Sequence, residues 1–359
     1  MKNCFITKLR GIVDNDQLLK IGEFFIDVEK VDNPTSSTQM LNIGIDNIEA
    51  TIVGDGYFTD STLQENYGKN IIADKILYVS NGSYKIKLSK YNLVTLLSYS
   101  NNKEIDSASL KYAPKLNELE LHIKKNLFYL KNLNLSTLSR LTLEGTNVIG
   151  EIKDLANNNC VLLNIYNTSL RGDIEDFGEI KNTVTSLMLN SDLYITGSLE
   201  SVVRIFPNIT VMNIGSTKIS GDISEFSKLK NLDSFSANNI YGDISSLKAC
   251  SNLTSVFLVD SNITGDISLL GEKMATIEFY ANVQNNITWK NNRPSSSSIL
   301  TLINVNLGDD VDAMLNNQAL CKETNSKKII SVIGTRTSAS DSAIATLQSK
   351  GYTVSITPA

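Results

Sequence analysis

The sequence predicts an α/β repeat solenoid, in which short strands stack coil on coil into a parallel sheet, preceded by an amino-terminal β-rich domain. Three observations predict it. From residue 93 the pattern L-x-x-L-x-L recurs, with starts 21 to 25 residues apart. A second pattern, an apolar residue, one spacer and then Gly-acid-Ile, follows most copies of the first. Residues 1–90 share neither period. In L-x-L every second side chain points the same way, so each short strand has one apolar face. One strand cannot bury that face alone, but stacked copies share a continuous core.

Residues 1–90 read as a capping or docking domain. Strands are expected at 5–9, 23–28, 40–45, 48–53, 76–79 and 83–88, separated by turn signals at Asp14-Asn15-Asp16, Asp32-Asn33-Pro34 and Asn81-Gly82. The repeat array spans residues 91–285. A degraded first copy is Leu93-Leu96-Ser98, followed by Leu116-Leu119-Leu121, Leu138-Leu141-Leu143 and Cys160-Leu163-Ile165. Val184-Leu187-Leu189, Ile209-Met212-Ile214, Leu232-Phe235-Ala237, Leu253-Val256-Leu258 and Met274-Ile277-Phe279 complete it. The second pattern runs from Val148-Ile149-Gly150-Glu151-Ile152 to Ile263-Thr264-Gly265-Asp266-Ile267. Its glycine permits a tight path, its Ile fills the next core layer, and its acid reads as a turn and capping residue. Thr146, Thr168, Thr217, Asn238 and Ser261 share one position past the strand, where a polar ladder would satisfy buried backbone groups. Residues 286–359 read as diverged repeats and a carboxy-terminal cap. Asn285–Ser298, rich in Asn and Ser, is expected to be a surface loop. A strand at 329–332, a helix from about Ser338 to Lys350, a stop at Gly351 and a strand at 352–356 follow.

A repeat array also absorbs a length of 359 residues, which would otherwise imply two or three domains at roughly 100–200 residues each. The net charge of -5 and pI near 5.2 argue against general nucleic-acid or anionic-membrane binding. No apolar run reaches the ~18–20 residues of a spanning helix, and the first residues lack the apolar stretch of a secretory signal. Cys4, Cys160, Cys250 and Cys321 are far apart and read as reduced, mostly buried thiols. Asparagine is the outlier in composition, with 40 residues. Turn positions such as Asn157–Asn159 and Asn238-Asn239 explain part of that excess.

These repeats resemble those of leucine-rich repeat proteins over about residues 90–285. The hydrophobic-x-Gly-x-Ile segment is similar to the plant-specific repeat subtype. That subtype carries a second small sheet, although here Thr or Ser replaces its ladder asparagine and Ser its proline. The resemblance implies a right-handed solenoid whose parallel sheet lines the concave face, and a binding or scaffolding role far more often than catalysis. The opening Ile6-Thr7-Lys8-Leu9 and Val13-Asp14-Asn15-Asp16, and the closing Leu347 and Gly351-Tyr352-Thr353-Val354, resemble proteins of gut bacteriophages and gut bacteria. Some of these are virion or tail proteins made without a signal peptide.

Alternation then sorts the outward positions of the sheet. Glu118, Glu120 and His122, with Glu144, form an acidic cluster read as a solvated face partly neutralised by Arg140; a cation site or acid–base pair is the sharper alternative. Tyr99, Tyr166, Met188, Phe257 and Tyr280 add aromatic and apolar groups of the kind found on recognition surfaces and carbohydrate-binding faces. With one histidine in the chain, no Ser-His-acid or Cys-His set can be assembled. Asp309, Asp310 and Asp312 read as helix N-terminal acids. The expectation is therefore a non-enzymatic binding or structural protein without cofactor or metal, using the repeat surface for host-ligand or subunit contacts. The favoured identity is a phage tail-fibre or adhesin-like virion component engaged in host recognition. Its partners would be other virion proteins, a host-surface protein or glycan, or a second copy of itself. The alternative is a cellular bacterial repeat protein, located in the cytoplasm, for protein–protein interaction or adhesion.

Overall fold

The computed structural model divides into two units, Met1–Leu170 and Arg171–Ala359. Up to residue 116 it describes strands only; from 117 it describes all but residues 123–126, 134, 157, 180, 191–193, 281–283 and 359, with no side-chain detail for His122, Asn132 and Gln284. The strand expected at 5–9 and the turns at 14–16 and 32–34 lie outside the described residues.

In the first unit, Asn70–Ala73, Ile48–Phe58, Gly82–Ser89, Glu23–Val28 and Glu104–Ile105 form an antiparallel sheet in that order. Five of the six expected amino-terminal strands are therefore present, with ends shifted by up to five residues. Asn70–Ala73, too short to show alternation, was not foreseen. Ile76–Ser80 and Gly82–Ser89, on either side of the Asn81-Gly82 signal, belong to different sheets. The second sheet runs Ile76–Ser80, Thr38–Asn42, Leu96–Tyr99, Glu118–His122, Arg140–Glu144 and Leu162–Tyr166. Its first two pairings are antiparallel and the repeat strands that follow are parallel. Thr38–Asn42 thus joins the amino-terminal strands to the repeat sheet.

The second unit stacks Ser186–Met188, Val211–Asn213, Ser234–Asn238, Ser255–Val259, Thr276–Tyr280, Thr301–Gly308, Ile329–Gly334 and Thr353–Thr357 into one parallel sheet. The Gly-acid segments build a second parallel sheet from the end of Ser169–Asp173 through Tyr194–Ser198, Lys218–Asp222, Ile240–Asp243 and Asn262–Asp266 to Gln284–Thr288. Between the two sheets lie the inward residues of every coil, all buried: Leu187, Met212, Phe235, Val256 and Ile277 from the first, and Ile195, Ile219, Ile240 and Ile263 from the second. Phe177 meets Phe206 edge-on at 5.1 Å, and Phe226 lies 4.1 Å from Phe235.

The Gly-acid-Ile motif has a mechanical reason. Across the second sheet each glycine faces the inward Ile that sits two residues before the next glycine: Gly172 faces Ile195, Gly197 faces Ile219 and Gly242 faces Ile263. This stagger presses each glycine onto the residues that follow the preceding one. A Cβ on Gly221 would lie 2.6 Å from the Leu199 Cβ, and one on Gly242 would lie 2.8 Å from the Asp222 carboxylate. Gly242 also holds φ at +112°, which side chains of L residues rarely adopt. The column ends at Ile287-Thr288-Trp289, where buried Trp289 takes the glycine's place.

The acids cap the turns as expected. Asp222, Asp243 and Asp266 accept from the backbone N–H two residues on, at 2.8, 2.8 and 2.9 Å, opening the 3-10 turns Ile223–Lys228, Ile244–Ala249 and Ile267–Leu269. The polar ladder holds at three of five positions. Thr168, Thr217 and Ser261 are buried; the first two accept from Leu170 and Ile219 N–H, and Ser261 accepts from Ile240 N–H one coil earlier. Thr146 is exposed, and Asn238 Oδ1 is buried without a partner.

A second ladder was not foreseen. Just before or after the first core residue of a coil, Asn159, Asn208 and Thr254 donate side-chain hydrogen bonds to carbonyls of the preceding coil, those of Ser136, Asn182 and Asp233, at 2.9, 2.9 and 3.1 Å. Asn167, Asn239 and Asn304 instead occupy left-handed turns, with φ of 55°, 56° and 57°.

The surface loop expected over Asn285–Ser298 holds only in part: residues 290–298 carry no helix or strand and most of 290–296 are exposed, but the stretch begins as a strand and has buried anchors. Gln284–Thr288 is a strand paired along its length with Asn262–Asp266, and Ile287, Trp289, Arg293 and Ser297 are buried. Its polar side chains are rungs between coils: Asn285 donates to the Asn304 carbonyl at 3.1 Å, and Asn291 donates to Asp266 at 2.9 Å. The carboxy-terminal elements agree with expectation within two residues at most boundaries, with strands Ile329–Gly334 and Thr353–Thr357, a helix Asp341–Ser349 and Gly351 at φ +87°. Asp309, Asp310 and Asp312 flank the start of the helix Val311–Gln318.

Candidate functional site

Parallel register sets the candidate face in each unit, because paired residues of adjacent strands share a side and lie about 4.8 Å apart. In the first unit Glu118, Arg140 and Leu162 form one row, Glu120, Thr142 and Asn164 the next, and His122, Glu144 and Tyr166 a third. Arg140 is thus the register neighbour of Glu118, and Glu144 sits between His122 and Tyr166. Glu120 and Arg140 are exposed, while Glu118, Glu144 and Tyr166 are half-buried. Partial burial, then the charges of Glu144 and Glu120, push the Tyr166 phenol upward. The ring therefore stays a neutral donor over an acidic strip.

Tyr99 does not join this face. The register pairs Leu97 with Leu119 and Tyr99 with Leu121, which are buried inward positions. The degraded copy at Leu93-Leu96-Ser98 is offset by one residue from the alignment its leucines suggest. A one-residue slip in a strand exchanges its faces.

In the second unit Met188, Asn213, Ser236, Phe257 and Glu278 form one row, and Asn238, Val259 and Tyr280 lie in the row beside it. Met188 and Phe257 are half-buried and three strands apart, about 14 Å. Tyr280 is 40% exposed.

Glu278 stands in the outward row and is nonetheless buried. Its carboxylate is 2% exposed, accepts the Tyr280 hydroxyl and pairs with Lys327 Nζ at 2.6 Å. Asn325 donates to the Ala275 and Ile299 carbonyls at 2.7 and 2.8 Å, which fixes the covering segment. The hydrogen bond to Glu278, then burial and the carboxylate's charge, push the Tyr280 phenol upward. Its own hydrogen bond to the Glu278 carboxylate raises Lys327. This cluster was not legible from alternation, because Lys327 lies 49 residues beyond Glu278.

The second sheet also presents aromatic groups that were not foreseen. Tyr129, Tyr194 and Tyr241 are among the exposed large hydrophobics, with Lys131 Nζ 5.6 Å from the Tyr129 ring centroid. Of the three only Tyr241 sits at the spacer position of the apolar-x-Gly motif, in Ile240-Tyr241-Gly242, where a residue between two inward ones points out.

Among the described residues no group of three or more His, Cys, Asp and Glu side chains is placed to hold a metal ion. Asp310 instead pairs with Lys290 at 2.8 Å, and Asp312 accepts from the Thr337 N–H at 2.9 Å. Cys160, Cys250 and Cys321 are buried free thiols, and desolvation drives the Cys160 pKa up to about 12. No described helix is long and apolar enough to cross a membrane.

No protein-family profile and no curated protein matches this chain. Solved structures with a similar backbone include an internalin from Listeria monocytogenes, 17% identical, covering 75% of this chain and 83% of that one, with a TM-score of 0.49. A plant peptide hormone receptor solved in complex with RGF2 is 16% identical over 70% of this chain and 45% of that one, TM-score 0.43. The repeat ectodomain of an Arabidopsis thaliana membrane receptor kinase, in complex with a Casparian strip integrity factor, is 13% identical over 74% and 41%, TM-score 0.41. No functional residue is transferred from them. From Glu118–His122 to Thr276–Tyr280 parallel strands recur every 21 to 25 residues, each followed by a strand of a second parallel sheet, and this architecture has the fold of a leucine-rich repeat solenoid.

Proposed function

We propose that this chain is a non-enzymatic binding protein whose longer parallel sheet presents its outward face to a protein partner. One observation carries the reading: the row Met188, Asn213, Ser236, Phe257, flanked by Val259 and Tyr280, sets partly exposed apolar and aromatic groups among small polar ones on a rigid ladder. Such a mixture gives contact area at low ordering cost, with hydrogen-bonding groups between the anchors. Peptides and proteins are the class of ligand in the complexes named above, which accords with this reading. The finer proposal is a virion component of tail-fibre or adhesin type, supported by the short opening and closing sequence motifs.

The test is partner capture from virions and host envelopes by the purified chain, followed by Met188→Ser and Phe257→Ser in one variant. Binding should fall at least tenfold with the melting temperature retained; full binding by the variant would move the site elsewhere. Imaging of the native assembly decides the virion reading. A structure in which neither sheet face contacts a neighbour or remains free for the host would sink it. Replacing Glu118, Glu120 and Glu144 together by Gln should leave binding intact, and loss of a glycan-cleaving activity in that variant would overturn the non-enzymatic reading.

A further inference from the structure

The carboxy-terminal coils bury a positive charge that forms no ion pair with a carboxylate. Arg293 is 2% exposed. Its Nη2 donates to the Gly271 and Met274 carbonyls, both at 3.2 Å, while Nε and Nη1 are buried with no protein partner. Glu272 acts on the guanidinium through its charge, and its carboxylate accepts from Ser296 Oγ at 2.8 Å. Desolvation draws the Arg293 pKa down to about 10.

The polar groups of this segment and of the helix Val311–Gln318, which meets the Arg293 backbone through Asn317, are asymmetric. The acceptors are engaged: Asn317 Oδ1 takes the Arg293 N–H at 2.9 Å, Gln318 Oε1 takes the Leu300 N–H at 2.6 Å, and the Ser297 carbonyl takes the Lys322 N–H at 2.9 Å. The groups left over can donate. Besides the two guanidinium nitrogens they are Ser297 Oγ and Gln318 Nε2, both in fully buried residues. A neutral water would satisfy one or two N–H groups but add no charge to the partial compensation from Glu272, and desolvated charge is the costly part of such burial. An anion satisfies both demands, and charge-assisted hydrogen bonds are the stronger ones.

We propose that Arg293 Nε and Nη1 hold a small monovalent anion of the halide class, with Ser297 Oγ of the same segment and Gln318 Nε2 at the end of the helix Val311–Gln318 as the other uncommitted donors. The anion is a structural ligand that ties this segment to the preceding coil through Arg293.

The experiment is thermal unfolding of the full chain in sodium chloride against sodium gluconate at constant ionic strength, with 35Cl line broadening as a direct readout of binding. The wild-type melting temperature should rise saturably with chloride, on the order of 3 °C for a tenfold excess over half-saturation, and the chloride line should broaden. Arg293→Gln should lose both responses. Should that variant not fold, Ser297→Ala keeps the test open, because it removes one donor and should shift half-saturation several-fold higher. Equal melting in chloride and gluconate with an unbroadened line, or an undiminished chloride response in a folded Arg293→Gln, overturns the proposal.

Discussion

At Gly242 a single hydrogen atom decides whether consecutive coils can close. Alanine there would set its Cβ 2.8 Å from the Asp222 carboxylate while forcing φ near +112° on an L residue. Both penalties act together, so Gly242→Ala should cost about 2–4 kcal/mol in chemical denaturation. Gly178 is the control. It is also left-handed, at φ +74°, but a Cβ there meets nothing within 4 Å. Gly178→Ala should cost only about 1 kcal/mol, and equal losses at the two sites would refute the packing account. The capping acids divide in the same way. Asp222→Ala removes a cap and should cost about 1 kcal/mol. Asp266→Ala should cost more, because Asp266 also accepts from Lys290 N–H and Asn291 Nδ2 of the next coil.

Whole elements were legible wherever one side chain type marks one face. The repeat strands declared themselves because their inward positions are apolar at every turn. The Asn285–Ser298 coil did not, since asparagine is at once a turn former and, here, a rung between coils, and composition does not separate those roles. The Leu96–Tyr99 strand misled by one residue because it carries leucine on both faces, so only pairing with Glu118–His122 fixes its register. The Glu278 cluster was hidden by sequence distance, and it yields a prediction at the scale of the segment. Lysine 327 gains a partner on folding, so its folded pKa lies above its unfolded one. The stabilisation is therefore complete below about pH 10.4 and disappears as pH rises through the raised value. Lys327→Met should lower stability at pH 7 by about 1–2 kcal/mol, less than a fully buried pair because the ammonium is half in water. The gap between wild type and variant should narrow in melting curves above pH 10.4 or so. A gap that widens with pH would contradict the pairing.

Over the second unit as a whole, stability should be carried by neighbours. Each coil touches the one before and the one after, so damage spreads along the stack and fades with distance. Phe226→Ala removes a ring stacked on Phe235 and should cost about 3–5 kcal/mol. Hydrogen exchange should quicken most in Lys218–Asp222, Ser234–Asn238 and Ile240–Asp243 and least in Thr353–Thr357. Uniform acceleration across the unit would show a single cooperative block instead. The two sheets differ in what they ask of such a stack. The first pairs like with like in straight rows, and its outward positions vary freely, so alternation alone separates its outer face from its core.

The stagger of the second sheet has a consequence for how the chain can change its length. A glycine is fitted to the residues of the coil before it, and the Ile two places upstream is fitted to the glycine of that same coil. A duplication or deletion whose breakpoints fall at equivalent points of two coils preserves every one of these matches but the single new junction. One whose breakpoints are out of phase breaks them at once. The array can therefore lengthen or shorten in whole cassettes, about 4.8 Å at a time. Recombination between copies, rather than piecemeal insertion, is the route this geometry leaves open.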